Sequence, residues 1–340
     1  MKPKYWKTTL DDIRNSIEGV KRGRAQVLCN SPGGREIYLV SYADPGRRGR
    51  GQANYSSACG GYELDCYKHE KRPAVMLIGA VHGNEPEGIA AILNIISIFE
   101  TGVMPDGTKN EYIGGDCPDI DIYMIPCANP DGRARVPFDS FVGADFETFR
   151  YYSQGTWKDK TLCSWPDCKK VHPIKDSCDF LGGYFDDNGV NIMHDSFFNP
   201  MSDTTARILE CAERLAPDIV IQFHGGDNCN PHMILPAYAS GASRAVLNKL
   251  ALRVQRVCAK AGITYDIYPT DRLEENSPPP SFNLASAIHH ACGAASAVHE
   301  CNQGIADRDN ASDYDKIFTE HMILVSELLK FCKEEKVNEW

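Results

Sequence analysis

Two continuous apolar runs, each followed by chemically active side chains, constrain the fold of this chain most strongly. The run at residues 73–80 is followed by His82 and Glu85, and the run at residues 218–223 is followed by His224. Such runs predict strands buried on both faces, as in parallel sheets. Open α/β sheets carry their sites at the carboxyl ends of strands, so these side chains are expected at one site.

Further strands and helices are predicted to alternate along the chain, which favours one twisted, mostly parallel sheet with helices on both faces. No break in composition marks a linker, so residues 1–340 are expected to form a single domain. The predicted helices are 9–20, 87–99, 203–215, 242–258, 282–292 and 313–334, and the predicted strands are 36–42, 74–80, 119–125, 218–223 and 294–300.

Several segments lack helical or strand periodicity. Surface loops are expected at residues 44–61 and 271–281, and the sequence Asn-Pro-Asp-Gly at 129–132 predicts a turn. Residues 133–190 predict a long irregular insertion. Loops of that length are usually functional, so this one is expected to build a binding pocket.

Charge and hydropathy exclude several classes of partner. The net charge of −10 disfavours nucleic acid and anionic membrane surfaces. No apolar run approaches the ~20 residues that span a bilayer. The basic N-terminus has no apolar signal core behind it, so a cytoplasmic location is expected. The fourteen cysteines are then expected to be reduced thiols.

One group of cysteines could form a second metal site. Cys163, Cys168, His172 and Cys178 include the right ligand types, but their spacing lacks a Cys-x2-Cys pair. Free thiols in a loop are the favoured interpretation, and the alternative stays open.

His82, Glu85 and His224 form the main candidate metal site. Two histidines and a carboxylate commonly hold catalytic zinc and leave a position for water. A His-x-x-Glu pair alone is weak evidence. The structural alternative is a hydrogen-bonded histidine at a strand end, with Glu85 beginning a helix.

A series of motifs, in this order, resembles the zinc carboxypeptidase family. It comprises Ser31-x-x-Gly34-Arg35-x-Ile37, His82-x-x-Glu85, Asn129-Pro-Asp-Gly132, Gly189-Val190-Asn191, His224, Ile267-Tyr268 and Glu300. The resemblance implies an eight-stranded mixed sheet flanked by helices. It also implies one zinc ion held by His82, Glu85 and His224, with Glu300 as the general base.

Glu300 is expected near the metal ligands because it ends a late strand. His299, next to it, should point to the opposite face by strand alternation and is therefore the weaker candidate base. A structural glutamate at a strand end is the alternative interpretation.

The chain departs from the family at the residues that bind the carboxylate of the substrate. Met193 and His194 replace an Asn-Arg pair that binds the substrate carboxylate, and Asn191 replaces an aspartate that supports a zinc-bound histidine. Loss of the bidentate arginine fork is not conservative. His194 could contact a carboxylate if protonated. The candidate substrate-binding residues are His194, Asn191, Tyr268 and Arg150.

The cation that stabilises the oxyanion is not fixed by the sequence. Trp157-Lys158 resembles a Trp-Arg pair of the family, so Lys158 would take the place of that arginine. Arg133, Arg135 and Arg150 are the other candidates for this role. A solvated surface cation is the alternative for each of them. Tyr268 resembles the family's mobile tyrosine, although a half-buried structural tyrosine fits as well.

The leading hypothesis is therefore a zinc-dependent hydrolase that cleaves an amide bond in a peptide, in the manner of a carboxypeptidase. Its substrates are expected to be short or unusual peptides. An N-acyl amino acid deacylase with the same zinc chemistry is the second hypothesis. A non-catalytic metal or peptide binder is the third.

Overall fold

The computed structural model describes residues 2–44, 72–115, 119–164, 167–267 and 281–335. Tyr268 lies outside these ranges, as do nearly all of the loops predicted at 44–61 and 271–281. None of the helices in the described ranges is long and apolar enough to span a bilayer.

The main sheet has seven strands in the described part of the chain. The order is β1-β2-β4-β3-β7-β9-β8; the central four strands run parallel, and the other pairs are antiparallel. A separate hairpin joins β5 to β6. The strands are β1 Arg24–Asn30, β2 Glu36–Tyr42, β3 Ala74–Ile78, β4 Asp121–Ile125, β5 Gly155–Trp157, β6 Cys178–Leu181, β7 Ile219–Gly226, β8 His232–Ile234 and β9 Ala295–Asn302.

Helices cover both faces of this sheet. They are α1 Leu10–Glu18, α2 Glu87–Thr101, α3 Pro130–Arg135, α4 Phe146–Gln154, α5 Asp203–Leu215, α6 Gly241–Lys260, α7 Leu284–Cys292 and α8 Tyr314–Glu334, with 3-10 turns at Asp167–Lys170, Lys175–Ser177 and Ile192–His194. One apolar core unites α1, α2, α6 and α8 with one face of the sheet, and a second unites α5 and α7 with the other.

Strand β3 shows why the apolar runs become central strands. All five of its residues are buried. Val75 and Leu77 join the first core, and Met76 and Ile78 join the second, so alternate side chains fill opposite faces. The α/β class, the mixed sheet and the helices on both faces are confirmed. The main sheet has seven strands in the described ranges where eight were expected, and the single domain remains a prediction.

Three predictions about local structure are corrected. Asn129 is not part of an isolated turn but caps α3, with its side chain accepting a hydrogen bond from the Gly132 amide. The 133–190 segment contains α4 and the β5–β6 hairpin rather than being irregular throughout. His224 lies within β7, not after it, because the strand continues to Gly226.

Candidate metal centre

His82, Glu85 and His224 meet at the carboxyl end of the parallel strands. Nδ1 of His82 lies 2.8 Å from Oε1 of Glu85, and Nδ1 of His224 lies 2.8 Å from Oε2. All three side chains are buried. One ligand atom from each falls within 4.8 Å of the other two, so the group could hold a metal ion.

The orientation of the three side chains fits a shared cation. His224 Nδ1 and Glu85 Oε2 are close, yet Oε2 is a buried oxygen that has no hydrogen-bond donor in the described part of the chain. A buried acceptor without a donor is costly unless something else compensates it. Two imidazoles and a carboxylate are suitable ligands for zinc, which would provide that compensation.

Neighbouring charge keeps the Glu85 carboxyl ionised. Burial raises its pKa, but the charge of His82 and His224 outweighs burial and brings the pKa to about 2. Glu85 is therefore a carboxylate at neutral pH, the form that binds a metal.

Side chains behind the ligands fix the ring of His82. Its Nε2 lies 3.2 Å from Oδ1 of Asn191, which also accepts a hydrogen bond from the Met193 amide. The ring of Tyr184 stacks on the other side, with centroids 4.1 Å apart. Asn191 thus lies behind a candidate ligand, as the family's supporting aspartate would, and it is not among the described residues that line the cavity.

Glycines allow the turn that carries His82 to pack closely. The Gly83 amide donates to the Gly183 carbonyl at 2.8 Å. A Cβ on Gly83 would lie 2.0 Å from the Arg133 nitrogen, and one on Gly132 would lie 2.1 Å from the Gly183 oxygen. Larger residues at either position would push the turn that carries His82 away from α3 and its neighbours.

The motif at residues 31–37 supports the site from a distance. Asp131, in α3, accepts hydrogen bonds from Ser31 Oγ at 2.5 Å, the Gly33 amide at 3.0 Å and Arg35 Nη1 at 2.8 Å. The β1–β2 turn therefore anchors the start of α3, which packs on the His82 turn. The motif at residues 31–37 and the motif at residues 129–132 thus form one structural unit.

Glu300 lies beside the metal ligands. It pairs with His224 across the parallel β7–β9 ladder and with His232 across β8–β9. Side chains paired in register project from the same face of a sheet. Burial, followed by the negative charge of Glu85, raises the pKa of Glu300 to about 8. A raised pKa suits a group that both accepts and donates protons near neutrality.

A cavity of about 670 Å³ contains these groups. Its wall includes the three candidate ligands, Glu300, two cations and several apolar side chains. Its lining also includes Phe146, Phe149, Arg150, Lys169, Tyr184, Met193, His194, His232, Ile234 and Val298.

Of the four predicted cations, only Arg150 lines this cavity. It donates to the Cys163 carbonyl at 2.9 Å and approaches the Phe146 ring. Lys158 is exposed at the end of β5 and is absent from the described lining of the cavity. Its predicted role is therefore not supported.

Arg133 and Arg135 serve the fold instead. Arg133 is buried and donates to the carbonyls of Thr8, Val136 and Phe138 at 2.7–3.0 Å. Arg135 pairs with Asp187 and donates to the Gly182 and Phe185 carbonyls. Both guanidinium groups thus contact backbone and loop atoms, and neither is among the described residues that line the cavity.

His194 lines the cavity, as its candidate role requires, but as a neutral ring. Burial, followed by the charge of Lys169 and of the His82 and His224 imidazoles, lowers its pKa to about 3. The protonated His194 considered from the sequence is therefore not expected at neutral pH. Tyr268 lies outside the described residues.

The cysteine group does not form a metal site with His172 in the described part of the chain. Nε2 of His172 accepts a hydrogen bond from the Asn191 amide at 2.8 Å. The Cys163 thiol contacts the Cys178 thiol instead, and both, like Cys168, are free cysteines. The metal-ligand groups found among the described residues exclude all four side chains.

The cavity residues that were not predicted from the sequence include Tyr184, Lys169 and His232. Tyr184 follows the Gly182-Gly183 pair that packs on the His82 turn, so the glycine pair was the available signal. Lys169 and His232 carry no local motif, and only the fold brings them to the cavity.

Comparison with known proteins agrees with this site. Residues 21–157 match the family model for zinc carboxypeptidase, a segment that contains His82 and Glu85. No curated protein matches the chain. The match bears out the resemblance to zinc carboxypeptidases that the motifs predicted, and it supports a metallohydrolase.

Solved structures share the fold at low sequence identity. A metallo-carboxypeptidase from Burkholderia cenocepacia is 11% identical with a TM-score of 0.55, over 94% of this chain and 67% of that one. A metallo-carboxypeptidase from Pseudomonas aeruginosa, in complex with (2-guanidinoethylmercapto)succinic acid, is 12% identical with a TM-score of 0.55, over 96% and 69%. Bovine thrombin-activatable fibrinolysis inhibitor, in complex with tick carboxypeptidase inhibitor, is 11% identical with a TM-score of 0.57, over 98% and 100%.

Proposed function

We propose that this chain is a zinc-dependent hydrolase that cleaves an amide bond of a short peptide. The observation that carries the proposal is the convergence of His82, Glu85 and His224 in one cavity, with Glu300 paired in register beside His224. A non-catalytic binder would need the ligands but not an adjacent carboxyl with a raised pKa.

Zinc is the metal that the proposal assigns to the three ligands. When bound, zinc supplies acidification of a water molecule and polarisation of a carbonyl group. His82 and His224 would present ring nitrogens, and Glu85 a carboxylate oxygen. Asn191 would hold His82 in one tautomer by accepting from Nε2, because the nitrogen that faces the ion must be unprotonated.

Glu300 is proposed as the general base and acid. It takes a proton from the attacking water and then gives that proton to the leaving nitrogen, so one carboxyl serves both steps. Its position on the rigid β9 strand, next to the ligand strand β7, fixes it relative to the metal. His299 cannot share this role because it faces the other side of the sheet.

The cavity suggests which substrates fit. Phe146, Phe149, Met193, Ile234 and Val298 give it apolar surface, while Arg150 and Lys169 add positive charge. A substrate with an apolar side chain and a free carboxylate would complement both features. We propose that Arg150, rather than an arginine at position 194, contacts that carboxylate.

A comparison of three substrate sets tests the proposal. Zinc-loaded protein is assayed on N-blocked dipeptides with a free carboxylate, on the same dipeptides with an amidated C-terminus, and on N-acetyl amino acids. The expected result is hydrolysis of the first set, at least tenfold faster than of the second. Hydrolysis of the N-acetyl amino acids alone would establish the deacylase, and turnover of none of the three sets would overturn the proposal.

A further inference from the structure

A second group of metal-ligating side chains lies on the opposite side of β9 from the cavity. His299 is adjacent to Glu300 in the strand, so its side chain points away from the cavity and toward α8. There it meets Glu320 and His321. Their relative exposures are 0%, 2% and 1%, so the group is enclosed in the core.

The distances within this group are those of metal ligands rather than of hydrogen bonds. Nε2 of His299 lies 3.5 Å from Oε1 of Glu320, too long for a good hydrogen bond. Two ligands each about 2.0–2.2 Å from a tetrahedral ion lie about 3.3–3.6 Å apart. One potential ligand atom from each of the three residues lies within 4.8 Å of the other two.

Polar atoms of all three residues lack hydrogen-bond partners in the described part of the chain. They are Nε2 of His299, Oε1 of Glu320 and Nε2 of His321. Around them are apolar or aromatic walls, including Phe223 and Tyr265. Three unpartnered polar atoms on neighbouring side chains in a buried core are costly unless a ligand compensates them.

The imidazole of His321 is prepared for binding. Its Nδ1 donates to the Ile317 carbonyl, one turn earlier in α8, at 2.7 Å. That bond fixes the proton on Nδ1, which also lies 3.4 Å from Oε1 of Glu320, and leaves a lone pair on Nε2. The hydroxyl of Tyr265 lies 3.4 Å from Nδ1 of His299. In both His299 and His321, therefore, Nδ1 lies next to a polar atom.

Burial opposes ionisation of the Glu320 carboxyl. The described ion pairs of Glu320 are with His299 and His321 only. The negative charge of Glu87 further raises the pKa of the Glu320 carboxyl. Without a cation, burial keeps this carboxyl protonated by raising its pKa well above the usual range. A divalent ion would stabilise the carboxylate and leave both imidazoles neutral.

We propose that His299, Glu320 and His321 form a second metal site, which takes a divalent cation of the zinc class. Two imidazoles and one carboxylate select such ions over calcium or magnesium, which prefer oxygen ligands. Because the site is closed to solvent, its ion would be structural, joining β9 to α8 directly beneath Glu300. It is separate from the proposed catalytic ion and does not depend on the proposed reaction.

Metal stoichiometry tests this site. The full-length chain is refolded in zinc, freed of loose metal, and counted by native mass spectrometry and elemental analysis. The expected value is two ions per chain. Glu320→Gln and His82→Ala should each hold one ion, and the double variant none.

Glu327→Gln is the matched control, since Glu327 is also buried in α8 but pairs with Arg253 and Lys330. It should keep two ions. A wild-type chain that holds one ion, lost in His82→Ala, would overturn the proposal even if Glu320→Gln fails to fold. Two ions that persist in Glu320→Gln would overturn it as well, by placing the second ion elsewhere.

Discussion

Asn191 contacts the ring nitrogen of His82 that faces away from Glu85: its Oδ1 lies 3.2 Å from Nε2, while Nδ1 lies 2.8 Å from the Glu85 carboxylate. A neutral amide thus occupies the supporting position behind a proposed metal ligand. An amide oxygen accepts the imidazole N–H but adds no negative charge, so it orients the ring without making the ligand more basic.

The first prediction concerns this support. Asn191→Ala should weaken zinc binding at the His82 site by roughly 10-fold or more, within the usual 10–100-fold range for such partners. Asn191→Asp keeps the acceptor and should retain or improve affinity. Competition with a chromophoric chelator measures both. Equal affinity in Asn191→Ala and wild type would show that Asn191 does not position the ring.

The second prediction concerns the proposed base. Glu300→Gln should lower kcat by roughly 10²–10⁴-fold, the usual contribution of general acid–base catalysis. Zinc affinity should stay within a few-fold of wild type, because Glu300 is not among the three ligands. Steady-state kinetics measures the change in kcat, and a parallel measurement of bound zinc shows whether the metal is retained. Normal turnover in this variant would remove Glu300 from the mechanism.

The third prediction is a pH profile. Burial, followed by the Glu85 charge, raises the pKa of Glu300 to about 8. A base acts when deprotonated, so kcat/KM should increase with pH along an acidic limb, and a bound cation should place that limb below pH 8. Measurement of kcat/KM from pH 5 to 9 checks this. A profile that is flat across this range would contradict the assignment.

The fourth prediction concerns the cation in the cavity. Arg150→Met should raise KM for carboxylate-bearing peptides by about 10-fold to 100-fold, since a charged hydrogen bond contributes about 1.5–3 kcal/mol. Amidated peptides should be far less affected. Lys158→Met is the control, because Lys158 is exposed and outside the described cavity wall. Equal effects of the two variants would exclude Arg150 as the carboxylate contact.

The fifth prediction concerns Arg133, which is buried and bonded to three backbone carbonyls. Arg133→Met should lower the free energy of unfolding by about 3 kcal/mol, because buried acceptors lose their donor. Urea denaturation measures the change, with exposed Arg207→Met as a control expected within about 0.5 kcal/mol. The kcat of the folded fraction should not change, and a selective fall in kcat would restore Arg133 as a candidate oxyanion cation.

The sequence was sufficient where a local pattern determined the structure. Strand β3 is apolar at every position because both of its faces are covered, and α2 is apolar almost all round for the same reason. The same runs predicted where His82 and Glu85 would lie, because each strand ends at the edge of the sheet where sites form.

Long-range packing determined the rest, and no local pattern reports it. Arg133, Arg135, Arg150 and Lys158 look equivalent in the sequence, yet one lines the cavity, two bind backbone carbonyls and one is exposed. His232 reaches Glu300 only through the pairing of β8 with β9. Short edge strands such as β8 have too few residues to show periodicity.

The most direct test measures hydrolysis before and after the proposed catalytic metal is removed. A chelator strips the accessible ion, and turnover of the best peptide substrate is followed while zinc is added back. Activity should disappear and return with one equivalent of zinc in wild type, but not in His82→Ala. Full activity in stripped protein that holds no ion at His82, Glu85 and His224 would contradict the account.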